Sequence, residues 1–82
     1  MLKERRMTLR DLKVGESGRI LNNRTSGALK QRFMDMGITK GVVVKVVKIA
    51  PLGDPVEIEI RGYHLSIRKD DAREIEVEVV NE

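Results

Sequence analysis

The second half of this 82-residue chain is built on a hydrophobic spacing of two. Val56, Ile58 and Ile60 alternate with Glu57, Glu59 and Arg61. Tyr63, Leu65 and Ile67 alternate with His64, Ser66 and Arg68, and Ile75, Val77 and Val79 with Glu76 and Glu78. Successive strand side chains point to opposite faces, so each segment predicts a strand with one apolar and one charged face. The β-branched run from Val42 to Ile49 reads as a strand too, but Lys45 and Lys48 have opposite parity. A β-bulge near Val46–Val47 would return both lysines to solvent. Arg61–Gly62 marks a tight hairpin, APLGDP a Pro- and Gly-rich turn, and KDDARE a short turn of helix.

Ahead of these strands the spacing becomes helical. Ala28, Leu29, Phe33 and Met36 recur on one face after a capping Thr25 or Ser26, with Lys30, Arg32 and Asp35 on the others. Gly37 stands where a left-handed residue would end the helix, and Ile38 is placed to fold back over the last turn. Earlier still, Leu9 and Leu12 precede a turn at Val14–Gly15 and an extended segment near residues 17–22, in which Gly18 predicts a bulge or a close backbone approach. Residues 1–7 are charged and without period, an extension ahead of one domain at 8–80. The order predicts a mostly β fold: a small SH3-like barrel of five to six strands with one inserted α-helix. Curling such a sheet on itself hides its edges. An open α+β sheet with the helix on one face is the alternative.

Composition removes most chemistry. There is no cysteine and one histidine, which excludes disulfides, thiolate zinc sites and cysteine nucleophiles. His64 alternates outward with no partner fixed beside it, and neither GxGxxG nor GxxxxGK[ST] occurs. Asp54, Asp70 and Asp71 sit where aspartates make turns and caps, and no spacing resembles a calcium loop. We therefore expect no catalytic residue, no metal ligands and no cofactor. No run approaches the roughly 20 apolar residues that cross a bilayer, so the expectation is a cytoplasmic protein without membrane insertion.

Charge is unevenly laid out. Residues 1–50 carry 12 Lys/Arg against 4 Asp/Glu, and residues 51–82 carry 4 against 9. Strands of the two halves lying side by side would cancel much of this. The basic half also raises a nucleic-acid-binding barrel as an alternative, with Arg19, Arg24, Lys30, Arg32 and Lys40 on phosphates. Against it, the only aromatics, Phe33 and Tyr63, fall on predicted apolar faces, leaving no ring for base stacking or for a proline-rich peptide. What remains is protein docking through a sheet edge or a groove beside the helix.

Three blocks in order, LKVGESGRI, LKQRFMDMGITKGVVV and APLGDPVEIEIRGYHLSIRKDDAREI, resemble the FeoA family of ferrous-iron transport accessory proteins, from about Leu9 to Val79. The resemblance implies an SH3-like barrel that acts in the cytosol on the cytoplasmic part of the membrane transporter FeoB, its G domain being one surface to consider. The same barrel is similar to the C-terminal domain of iron-dependent repressors, a second alternative, although this chain has no helix-turn-helix portion. MLKERRM lies outside the shared blocks. Gly15, Gly37, Gly41 and Gly62 serve turns; Pro51, Gly53 and Pro55 stiffen the loop, whose own amides Asp54 is expected to cap. The partner-binding residues expected are Arg32, Met36, Leu52, Gly53 and Asp54. Arg32 reaches either a cluster of barrel carbonyls or a partner carboxylate, and Met36 serves either the core or a partner. Weak self-association and direct Fe(II) sensing stay open.

Overall fold

Alternation at period two produces one six-stranded antiparallel sheet, seen in a computed structural model that describes residues 7–80. The strands are β1 (Met7–Thr8), β2 (Ser17–Asn23), β3 (Val43–Ile49), β4 (Val56–Ile60), β5 (Tyr63–Ile67) and β6 (Ile75–Val80), in the spatial order β1-β6-β2-β3-β4-β5. Helix α1 (Gly27–Asp35) is inserted between β2 and β3, and the short helix α2 (Lys69–Ala72) between β5 and β6. The inward residues of every long strand, Ile20, Val44, Val46, Ile58, Ile60, Ile67, Ile75 and Val77 among them, meet in one core that Leu9, Leu12, Phe33 and Ile38 complete.

The closed barrel expected from the sequence is corrected in one respect: no ladder joins β5 to β1 among the described residues, so the curled SH3-like sheet keeps two edges. From β1 the chain passes into a 3-10 turn at Leu9–Asp11 that packs against α2. Met7 belongs to that edge and not to the extension, since it pairs with Val77. The rest of the extension, residues 1–6, lies outside the described residues.

Parity slips become bulges. In the β3–β4 ladder Val46 faces Ile58 and Lys48 faces Glu57, leaving Val47 as the extra residue and both Lys45 and Lys48 exposed, as the sequence requires. A second bulge lies in β2, where Ile20 faces Val77 but Asn22 faces Glu76, and Leu21 is turned outward. At Gly18 the close approach is what occurs: an added Cβ would sit 3.0 Å from Leu12 Cδ1 and 3.1 Å from Val77 Cβ.

Helix α1 ends as its residues dictate. Gly37 has φ +99°, its N–H donates to the Met34 carbonyl at 3.0 Å, and the Ile38 N–H donates to the Phe33 carbonyl at 2.9 Å. Those two bonds satisfy carbonyls that a helix end leaves free, while Ile38 packs into the core beside Phe33. The start differs from expectation. Ser26 occupies the capping position without a side-chain hydrogen bond, and Thr25 turns to Asn23, whose Oδ1 accepts from both its N–H and its hydroxyl. Ala28 is exposed, so Phe33 is the one fully buried residue of α1. Tyr63 also departs from its predicted apolar face: it is 44% exposed, and its hydroxyl donates to the Met36 carbonyl.

The charge imbalance does cancel between neighbours. Lys45 and Lys48 of β3 face Glu59 and Glu57 of β4. Arg19 reaches Glu78 at 2.8 Å and Arg24 reaches Glu76 at 3.0 Å, pairing β2 with β6. Two of the arginines offered above to phosphates are thereby committed within the sheet.

Two substitutions test this packing. Gly18→Val should lower unfolding stability by about 1–3 kcal/mol by forcing Leu12 and Val77 aside. Ile38→Ala should cost about 2–5 kcal/mol by leaving a cavity behind the helix end. Both are read by urea denaturation with unchanged dependence on denaturant.

Candidate docking site

The short helix α2 organises the surface that the sequence pointed to. Ala72 is fully buried, and Asp54 Oδ1 accepts the Lys69 N–H at 2.9 Å, tying the β3–β4 loop to the first turn of α2. Asp54 therefore caps a helix across the fold, where the sequence reading had it capping amides of its own loop. Asp70 is paired with Arg73 at 2.7 Å.

On one side of α2 lies a cleft of about 510 Å³ between it, the end of β5 and α1. Leu29, Phe33 and Ile67 are its apolar lining; Arg32, Ser66, Arg68, Asp70 and Asp71 are its polar one. Arg32 and Arg68 are both exposed, and neither guanidinium has a carboxylate partner among the described residues. No hydrogen bond from the Arg32 guanidinium to a carbonyl occurs among the described residues, and its side chain lines the cleft. A guanidinium presents a planar fork that matches a carboxylate with two parallel hydrogen bonds.

On the other side, Leu52 and Gly53 border a hollow of about 230 Å³ with Arg10, Ile49, Val56 and Lys69. Leu52 is 97% exposed, with φ +72° in the 3-10 turn Pro51–Gly53. A leucine is costly in that backbone region, and there its side chain gains nothing from the core. Covering it would contribute about 2 kcal/mol to an association.

The five predicted residues thus divide. Arg32 faces the cleft, Leu52 and Gly53 border the hollow, and Asp54 fastens the helix that separates the two. Met36 stands apart, half-buried against the core at the end of α1. The sequence reading missed Leu29, Ser66, Arg68, Lys69 and Asp71, which line the same surface. The RKDD run carried a signal, its KDD part read there as the start of a short turn of helix, which is what forms; what it lies against depends on how β5 delivers it beside α1. Elsewhere His64 points outward with Nδ1 3.0 Å from Glu57 Oε2, on the face opposite the core. Among the described residues no three His, Cys, Asp or Glu side chains gather as a metal-holding group, and no helix is long and apolar enough to cross a membrane.

Fold and surface together define a small SH3-like β domain whose distinctive groups all face outward. Residues 7–79 match the FeoA domain, and the chain belongs to the FeoA family. It is 37% identical over 75 residues to the Fe(2+) transport protein A/Fe(2+) transporter FeoB fusion protein of Porphyromonas gingivalis. That match takes in 92% of this chain but only 9% of the fusion protein. The solution structure of FeoA from Chlorobium tepidum superposes with a TM-score of 0.87 at 35% identity, over 92% of this chain and 71% of its own. A Stenotrophomonas maltophilia FeoA, described as a prokaryotic SH3 domain protein, gives a TM-score of 0.78 over 88% of this chain and 89% of its own. At 24% identity this last likeness is one of fold alone.

Asp54→Ala should cost about 1 kcal/mol in unfolding stability and speed amide exchange at Lys69 selectively, because that N–H loses its acceptor. Hydrogen exchange followed by NMR reads both effects.

Proposed function

We propose that this chain is an accessory protein of ferrous iron transport that works in the cytoplasm by docking onto the cytoplasmic part of a FeoB transporter. The observation that carries this reading is the Porphyromonas gingivalis relative, in which a stretch 37% identical to this chain is named as part of one polypeptide with the transporter. Joining two modules in one chain makes their meeting intramolecular and raises its effective concentration, which is useful when the separate modules bind each other only modestly.

The docking surface is the one α2 organises. Arg32 takes a partner carboxylate, Leu52 inserts its side chain into a partner pocket, and Asp54 holds the loop at the height of α2. An exposed apolar tip beside a directional cation is the arrangement of a small, specific interface, with the apolar group supplying affinity and the charge supplying orientation. The pairing of Arg19 in β2 and of Arg24 just beyond it speaks against the nucleic-acid reading, since their charge is already met by β6.

Calorimetry with the purified cytoplasmic region of the cognate transporter, and separately with its G domain, tests the reading. Saturable binding of the wild-type chain is expected. Joint Arg32→Ala and Leu52→Asp substitution should weaken it at least about tenfold, the loss of one charge-assisted bond plus one buried leucine, with an unchanged circular dichroism spectrum. Undiminished binding of the double variant removes these residues from the interface; no binding by the wild type removes the function.

A further inference from the structure

Helix α1 has a second flank, and it carries a separate groove. Residues 29, 32 and 33 line the Arg32 cleft, while Lys30 and Met34, one turn apart on the adjacent row, line a groove of about 170 Å³ against β2. Leu21, Asn23, Ile38 and Lys40 are further members of its lining.

Three independent features of this groove point to an occupant. The first is its floor. Leu21 is 41% and Met34 44% exposed, side by side over buried Ile38. Leu21 is there because the β2 bulge takes it out of the ladder with β6, and bulges re-aim side chains in this way. The second is charge. No acidic residue lines the groove, and Lys30 and Lys40 have no carboxylate partner among the described residues, whereas Arg19 and Arg24 nearby in sequence are both paired. The third is the Asn23 amide. Its Oδ1 is fixed by the two hydrogen bonds from Thr25, which orients Nδ2 the other way, and Nδ2 is buried without an acceptor. A buried amide donor left unmet costs about 1–3 kcal/mol, a cost recovered where an oxygen reaches it as the groove wall opens on binding.

We propose that this groove binds a short acidic segment of a partner protein, with one apolar side chain on Leu21 and Met34, carboxylates on Lys30 and Lys40, and a carbonyl or carboxylate oxygen accepting from Asn23. An anionic membrane surface would satisfy the lysines but not a concave apolar floor. The site is distinct from the Arg32 surface, so the inference stands or falls apart from the identity of the transporter as partner.

The experiment is an NMR titration of the full-length ¹⁵N-labelled chain with the peptide Asp-Glu-Leu-Phe-Asp-Glu and with its counterpart in which every acid is lysine. The expected result is movement of the Leu21, Met34 and Lys40 resonances and of the Asn23 side-chain NH₂ pair with the acidic peptide alone, weakening as salt is raised from about 50 mM to about 300 mM. Joint Lys30→Glu and Lys40→Glu substitution, which touches only exposed positions, should weaken binding at least about tenfold. Asn23→Asp keeps the acceptor that Thr25 uses and removes the donor, and should weaken it several-fold. Equal binding of the lysine peptide, movement confined to the Leu29–Arg32 cleft, or no movement at millimolar peptide would each overturn the proposal. Co-sedimentation with phosphatidylglycerol vesicles while the peptide leaves the groove unmoved would assign the lysines to a lipid surface instead. Groove resonances that shift with protein concentration alone would assign it to a second copy of the chain.

Discussion

The pairing of β2 with β6 is the constraint on which the rest of this fold depends. It joins the two ends of the chain: Arg19 and Glu78, bridged across it, are 59 positions apart. β2 then holds β3 on its other side, so each later strand is placed by reference to this ladder. Such closure carries a loop-entropy cost that grows only slowly with length, but it must be met before the core rewards it. Gly18 is the residue that lets it happen, because Val77 and Leu12 occupy the space where any side chain would begin. The same ladder brings the basic first half against the acidic second, and the charges that look polarised along the chain become local ion pairs. Exposed pairs of this kind add little stability, about 0–1 kcal/mol each. They commit only Arg19 and Arg24, and most of the other basic side chains among the described residues stand without an ion pair.

Among these unpaired cations, Lys30, Arg32, Lys40 and Arg68 line the depressions beside α1. A nine-residue helix that buries a single side chain has two flanks to spare, and each becomes the wall of a depression. One faces β5 and α2, with Arg32 and Arg68; the other faces β2, with Lys30 and Lys40. A small chain buries a lower share of its surface, so much of this domain's apolar area stays near solvent. Apolar side chains such as Leu52 and Leu21 stand at its surface, each lining a depression that basic groups also line.

Much of this was legible in the residues. The period-two runs located β3 to β6, Gly37–Ile38 located the end of α1, and the opposed parity of Lys45 and Lys48 located a bulge at Val47. Each is a local consequence of where a side chain must point. The bulge at Leu21 was less visible because Ile20 and Leu21 are both apolar, and the slip shows only against the register of β6. The capping of α1 was misread because Thr25 found an acceptor in Asn23, a competition between neighbours that spacing does not resolve.

The sequence by itself determined the element types and the family. Period, parity, residue inventory and ordered motif blocks carry those, and none needs a distance between remote residues. Tertiary structure alone decided that no ladder joins β1 to β5 among the described residues, that Asp54 caps α2 and not its own loop, and that Arg32 and Leu52 flank one short helix while Met36 turns to the core. These depend on how strands from opposite ends of the chain are brought together, and contacts across such separations are set by the packing of the whole core.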